Sequence, residues 1–418
     1  MRTVPLALAA CCLLALTASA SAHAATTAGW VYTESNDPGP NANAVLAMDY
    51  RPSGSLRPLR SRAYPTKGSG ELYVPGQSLS VLAADHQVIV SRNRRFLLAT
   101  NQGTDTIAVF RINRRNGGLS HVPGSPFPSG GDGPTAIGQV GNRVVVANKG
   151  LHAGEPPPGN GNLVSFRFSP TGRLSAPVST IPAPGSPLDA ALSPDGRIVF
   201  DSEFLAFKLH VLTLGSDANL TDGPAGQFTF DPAVTTGRSS PPGFPPPAVN
   251  LPFGIGIHPT KPFVYYTATV AGRIAVYTYD NQGQMRFVRT VENPDVAATC
   301  WNVVSPDGRF MYTSNRVTED VAAWQIAPSG DDLTRIQVAP LPEKGGSSNM
   351  AITPDGKSLF VVALHDDSDV PFEKPADGNF VESYSIGNDG RLTARSVAAL
   401  PVRFSTIPLG LAVVTRSR

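Results

Sequence analysis

The chain has 418 residues, with 34 basic against 32 acidic side chains and a net charge of +2. With that balance no electrostatic argument points to nucleic acid or to a membrane surface. Gly and Pro both number 40, high for a helical protein and suited to short strands joined by turns.

The first segment reads as a secretory signal. Arg2 supplies a positive start, Leu6 to Ala18 is apolar, and Ala22-His23-Ala24 fits a small-residue cleavage site. The expected mature domain is therefore residues 25–418, exported to the periplasm or beyond, with residues 1–24 removed. The apolar run is too short for a comfortable span, so no membrane insertion is expected after cleavage. Leu8-Ala9-Ala10-Cys11 has the form of a lipoprotein box, but the apolar run continues past the cysteine, which argues against lipidation. Without Cys11 and Cys12 only Cys300 remains, so no intrachain disulfide framework is expected.

The remainder repeats itself. A turn of Ser/Thr-Pro-Asp-Gly-Arg/Lys followed by an apolar strand and a polar end occurs at Ser193 to Arg197, Ser305 to Arg309 and Thr353 to Lys357. Looser copies lie at Gly29 to Asn36, Arg94 to Gln102, Asn142 to Lys149 and Pro262 to Thr269, making seven units. Repeats of roughly 40 to 50 residues built from short strands predict an all-β, seven-bladed β-propeller. The fifth unit predicts strands over Gly254–Ile257, Phe263–Thr267 and Arg273–Tyr279; the sixth, over Asn302–Val304, Phe310–Ser314 and Val321–Ile326. Trp30 to Thr33 reads as a second strand with no first strand before it, and Leu409 to Thr415 as a first strand with no second after it. Joining the two closes the ring and removes an open edge. Gly150 to Gly161, Asp222 to Asn250 and His365 to Asn379 read as insertions, which in propellers lie on a face or rim.

Aligned by their apolar cores, the second strands end in Asn36, Gln102, Lys149, Glu203, Thr269, Arg316 and His365. Strand ends are polar wherever they reach water. Two fixed cations, a carboxylate and an imidazole nevertheless make a set suited to a small anionic ligand. Arg316 can grip a carboxylate or phosphate bidentately and Lys149 can add a point charge. Glu203 and His365 have the chemistry of proton transfer.

These units resemble the seven-bladed lactonase family of propeller-type 6-phosphogluconolactonases and carboxymuconate-lactonising enzymes. Ser193 to Glu203 resembles the family's blade ending in a functional Glu, and Ser305 to Arg316 its blade ending in a functional Arg. The resemblance implies catalytic roles for Glu203 and Arg316 on a lactone or related anionic small molecule, without an organic cofactor. The family often carries His on the first strands of the third and fourth blades. Here those stretches read Gly133-Pro134-Thr135-Ala136 and Pro187-Leu188-Asp189-Ala190. Asp189 or His365 is then expected to take the missing role, with Lys149, Gln102, Asn36, Thr269 and Trp301 binding substrate. A monomer is expected.

Other residues have plainer readings. His365-Asp366-Asp367-Ser368-Asp369, with Glu373 and Asp377, offers oxygens to calcium, but without the spacing of a calcium loop. His258 reads as a turn residue, His86 and His210 as strand or turn residues, and His152 and Glu155 as unpaired. Cys300 reads as packed rather than nucleophilic, and Trp301 as an apolar wall. Two functions remain open: an exported lactonase-like enzyme, or a non-catalytic extracytoplasmic propeller that binds a ligand or protein. A quinone-cofactor propeller would need a repeated Trp motif, and the chain has three Trp.

Overall fold

The computed structural model describes residues 27–57, 62–72, 84–152, 154–155, 159–239, 248–296, 298–343, 345–364, 379–402 and 406–416. The expected signal segment, His365 and the acidic loop around it lie outside the described residues. The rest forms seven antiparallel sheets, five of four strands and two of five. Each is one blade, with consecutive strands running from the channel outward.

The turn cassette sets each blade's first hairpin. At Ser193 the hydroxyl donates to Asp195 Oδ1 (2.7 Å) and accepts from Ile198 N (3.0 Å), while Gly196 sits at φ +70°. Ser305 and Thr353 make the same contacts to Asp307 and Asp355, with Gly308 at +70° and Gly356 at +71°. A Cβ on Gly196 would also strike Val140 at 2.4 Å, so both the positive φ and the close approach require glycine. The looser copy at Ser91 keeps the device with Asn93 as acceptor, and Arg94 takes the left-handed position at φ +58°.

Every second strand is buried on both faces: Gly29–Glu34, Phe96–Asn101, Ile198–Glu203, Phe310–Asn315 and Ser358–Leu364 have no exposed residue. Alternate side chains enter the two neighbouring interfaces. Val199 packs with blade three and Phe200 with blade five; Phe310 packs with blade seven and Met311 with blade five. Seven apolar clusters result, one between each pair of adjacent blades. The last, between blades seven and one, includes Leu409 and Leu411.

Leu409–Thr415 pairs antiparallel with Gly29–Glu34 and supplies the innermost strand of blade one. The strands expected in the fifth and sixth units are present, each innermost strand beginning earlier, at Pro252 and Thr299. One expected insertion is different: within Asp222 to Asn250, residues through Phe228 continue blade four's outer strand, Leu220–Phe228, and Pro232–Thr235 forms a helical turn capped by Asp231.

Two outcomes follow for the scaffold. Ending the chain after residue 408 leaves Gly29–Glu34 as an unpaired edge, so cooperative thermal unfolding is expected to disappear, with association visible by size exclusion. Glu382, on blade seven's third strand, is raised by burial from its ordinary 4.5 to about 7. The folded state therefore favours its protonated form. That stabilisation is complete below 4.5 and lost as pH rises through about 7. A Glu382→Gln variant is expected to lose less Tm than the parent over that window.

Candidate functional site

The inner strands leave a central cavity of about 350 Å³, lined by His86, Arg92, Ile137, Gln139, Ile255 and Asn302 among others. Its mouth is crossed by the segment Ala84-Asp85-His86. Asp85 N donates to Leu188 O of blade four (3.1 Å), Trp301 Nε1 of blade six donates to Ala84 O (2.9 Å), and Asn349 Nδ2 of blade seven donates to Asp85 Oδ1 (3.2 Å).

This segment delivers an imidazole to the acid expected from the sequence. His86 Nδ1 lies 2.9 Å from Asp189 Oδ1 and 3.9 Å from Asp85 Oδ1. The Asp189 side chain is 1% exposed, whereas that of His86 is 44% exposed and opens into the channel. Burial lowers the His86 pKa, but Asp189 and Asp85 outweigh it and hold it up at about 10. Burial raises Asp85 to about 6, against the pull of His86. Behind Asp189 stands Asp201, whose Oδ1 accepts from the backbone N of both Leu188 and Asp189 at 3.0 Å. Burial, with Glu203 nearby, pushes Asp201 up to about 8.

Strand register separates Glu203 from the ring drawn from the sequence. Glu203 opposes Pro187, and the residues in that register elsewhere are Asn148 opposite Pro134, Ala268 opposite Pro252 and Asn315 opposite Thr299. Lys149, Thr269 and Arg316 come one residue later, where blade four carries Phe204. Glu203 is fully buried inside its own blade: it accepts from Gly185 N (3.1 Å) and Gln227 Nε2 (2.7 Å), and its Oε1 lies 3.1 Å from His210 Nδ1. His210 Nε2 meets Asp222 at 2.7 Å, and its pKa is raised: burial opposes the rise, but the bonds to Glu203 and Asp222 prevail. This arrangement commits both Glu203 oxygens to partners within the blade.

Lys149 is likewise committed. It is 1% exposed and its Nζ donates to Glu71 Oε2 at 3.0 Å. His152, expected to be unpaired, lies 3.5 Å from the same Glu71 oxygen and 3.4 Å from Asp105, and its backbone N donates to Glu155. Asn36 Oδ1 accepts from Glu71 N, and Gln102 is buried at the start of a short 3-10 turn. Glu71, His152, Ser69 and Thr104 line a second pocket of about 430 Å³ between blades one to three.

Across the mouth, Arg316 and Thr269 flank Cys300. Burial pushes that thiol up to about 12, partly opposed by Arg316 and by a hydrogen bond with Thr269, so the thiol is packed and unreactive. Gly346 leaves Arg316 its room, since a Cβ there would meet the side chain at 2.9 Å. Trp301 is buried with Leu188, Phe204, Leu251 and Phe253 and serves as a brace to Ala84 as well as an apolar wall.

Sequence reasoning missed the pairing of His86 and His210. Asp201 and Glu203 stand two apart on one strand, and His210 lies directly across from Asp201. An Asp-x-Glu facing a His inside an apolar strand was the available signal. For His86 it was the adjacent Asp85, just before a blade's first strand.

A seven-bladed propeller with a carboxylate–imidazole cluster at its channel is the class of protein these observations define. Residues 252–379 match the family described as "Lactonase, 7-bladed beta-propeller", the family that the blade cassettes resemble. The chain is 27% identical over 239 residues to a 6-phosphogluconolactonase of Erwinia tasmaniensis, covering 54% of this chain and 63% of that one. It is 23% identical over 264 residues to one of Cronobacter sakazakii, covering 61% and 71%. The structure of a periplasmic gluconolactonase from Pseudomonas aeruginosa superposes with a TM-score of 0.67 at 15% identity, over 94% of this chain and 100% of that one, and shares the fold.

The buried pair gives a stability test. His210→Ala strands the Glu203 charge and is expected to cost about 3 kcal/mol or more in denaturant unfolding. Adding Glu203→Gln should recover part of that loss.

Proposed function

We propose that this propeller is an exported lactonase whose site is the channel mouth. Water adds to the lactone carbonyl carbon, the ring C–O bond breaks, and the ring oxygen takes a proton to leave the hydroxy acid. The observation that carries this reading is the His86–Asp189 pair, with Asp85 beside it, open to the channel of a chain related to 6-phosphogluconolactonases. Asp189 fixes the His86 ring, and the cluster faces the carbonyl and the attacking water. Arg316, beside Thr269, takes the substrate's carboxylate or phosphate. Lys149 is excluded from that role by Glu71. The leader-like residues 1–24 support export.

A non-catalytic binding propeller is the second reading. It is favoured by the commitment of Glu203 and Lys149 to internal pairs.

Hydrolysis of sugar lactones, phosphorylated lactones and muconolactones by purified residues 25–418 separates the two. His86→Ala and Asp189→Asn are expected to lower kcat/KM by about 100-fold or more. Arg316→Ala should raise KM chiefly for the anionic lactones. Absence of turnover on every lactone, or turnover that the variants leave untouched, would move the assignment to the binding propeller.

A further inference from the structure

The His86 nitrogen and the two carboxylates are arranged as ligands as well as hydrogen-bond partners. One ligand atom from each of Asp85, His86 and Asp189 lies within 4.8 Å of the others. Nδ1 stands 2.9 Å and 3.9 Å from the two carboxylate oxygens. Bonds of about 2.0–2.2 Å to one ion put ligand atoms roughly 3.3 Å apart in a tetrahedral site, inside that bracket.

A plain hydrogen bond from His86 does not account for the surroundings. Asp189 is 1% exposed and points one oxygen at Nδ1, yet its Oδ2 has no hydrogen-bond partner among the described residues. Asp201 Oδ2 and the Tyr266 hydroxyl, both fully buried, also have none. Tyr266 is close enough to feel them: after burial, the charges of Asp201 and Asp189 are among the causes that raise it. Orphaned buried oxygens that act on one another electrostatically are the kind of group a water or ion satisfies. Asp201 meanwhile grips the Asp189 backbone, as an outer partner does when it fixes a ligand.

We propose that Asp85, His86 and Asp189 bind a divalent transition-metal ion at the channel mouth. One imidazole nitrogen and two carboxylates suit Zn²⁺ or Mn²⁺, whereas Ca²⁺ calls for six or more oxygens. The inference deepens the lactonase reading by placing a Lewis acid where the carbonyl would sit, and it rests on that reading only for the ion's use.

The full chain, stripped with chelator, would be titrated separately with Zn²⁺, Mn²⁺ and Ca²⁺ by calorimetry, with Tm followed in parallel. One equivalent of Zn²⁺ or Mn²⁺ is expected to bind at least tenfold tighter than Ca²⁺ and to raise Tm. His86→Ala, at an open position that leaves the core intact, should abolish both effects. Asp201→Asn should weaken binding by about 10- to 100-fold. No binding, or equal binding by wild type, His86→Ala and Asp85→Asn, overturns the site. Binding without turnover of any lactone supports the metal site and sinks the lactonase reading. Turnover that persists in stripped protein that binds no ion does the reverse.

Discussion

Everything else depends on burying seven strands on both faces. A strand flanked by two blades has no solvent side, so its neighbours in the ring must all be present before any of them is satisfied. Tyr265 packs toward blade six while Tyr266 packs toward blade four, and this alternation passes the requirement around the circle. The circle is completed by Leu409–Thr415, which brings one end of the described chain to the other. Closure therefore converts seven local interfaces into one cooperative unit.

The same two-sided burial explains where charge can go. Inside a blade a carboxylate survives only with partners: Glu203 has Gly185, Gln227 and His210, and Glu382 has the Glu343 backbone and Tyr384. Partners do not cancel the cost of burial: Glu382 is raised to about 7, and nearer the channel Asp85 is raised to about 6 and Asp201 to about 8. Polar residues at strand ends thus divide into two populations. Glu203 and Lys149 stabilise the scaffold, while His86 lines a cavity and Asp189 behind it keeps an oxygen without a partner among the described residues.

The propeller was legible because its information is local. Ser-Pro-Asp-Gly fixes a turn by its own hydroxyl, carboxylate and φ, and a six-residue apolar strand must follow. The terminal strand pairing was legible because Trp30 to Thr33 lacks a first strand and Leu409 to Thr415 lacks a second. The site was legible only in part. Asp189 was visible as an acid where the family its blades resemble often carries His, but its imidazole comes from residue 86, 103 positions earlier, and no spacing rule reports such a contact. Glu203 misled because it is the last residue of its strand, in register with Asn148, Ala268 and Asn315, whereas Lys149, Thr269 and Arg316 come one residue later, and in a β-strand a single step reverses the side chain.

The strap of Ala84, Asp85 and His86 has a mechanical consequence. It hangs from Leu188, Trp301 and Asn349, so three blades besides its own fix its position. The Asp189–His86 contact therefore depends on anchors in blades four, six and seven. A change in packing at a far interface, between blades six and seven for instance, reaches the channel by pulling on a tie rod rather than by passing through the wall of the intervening blades.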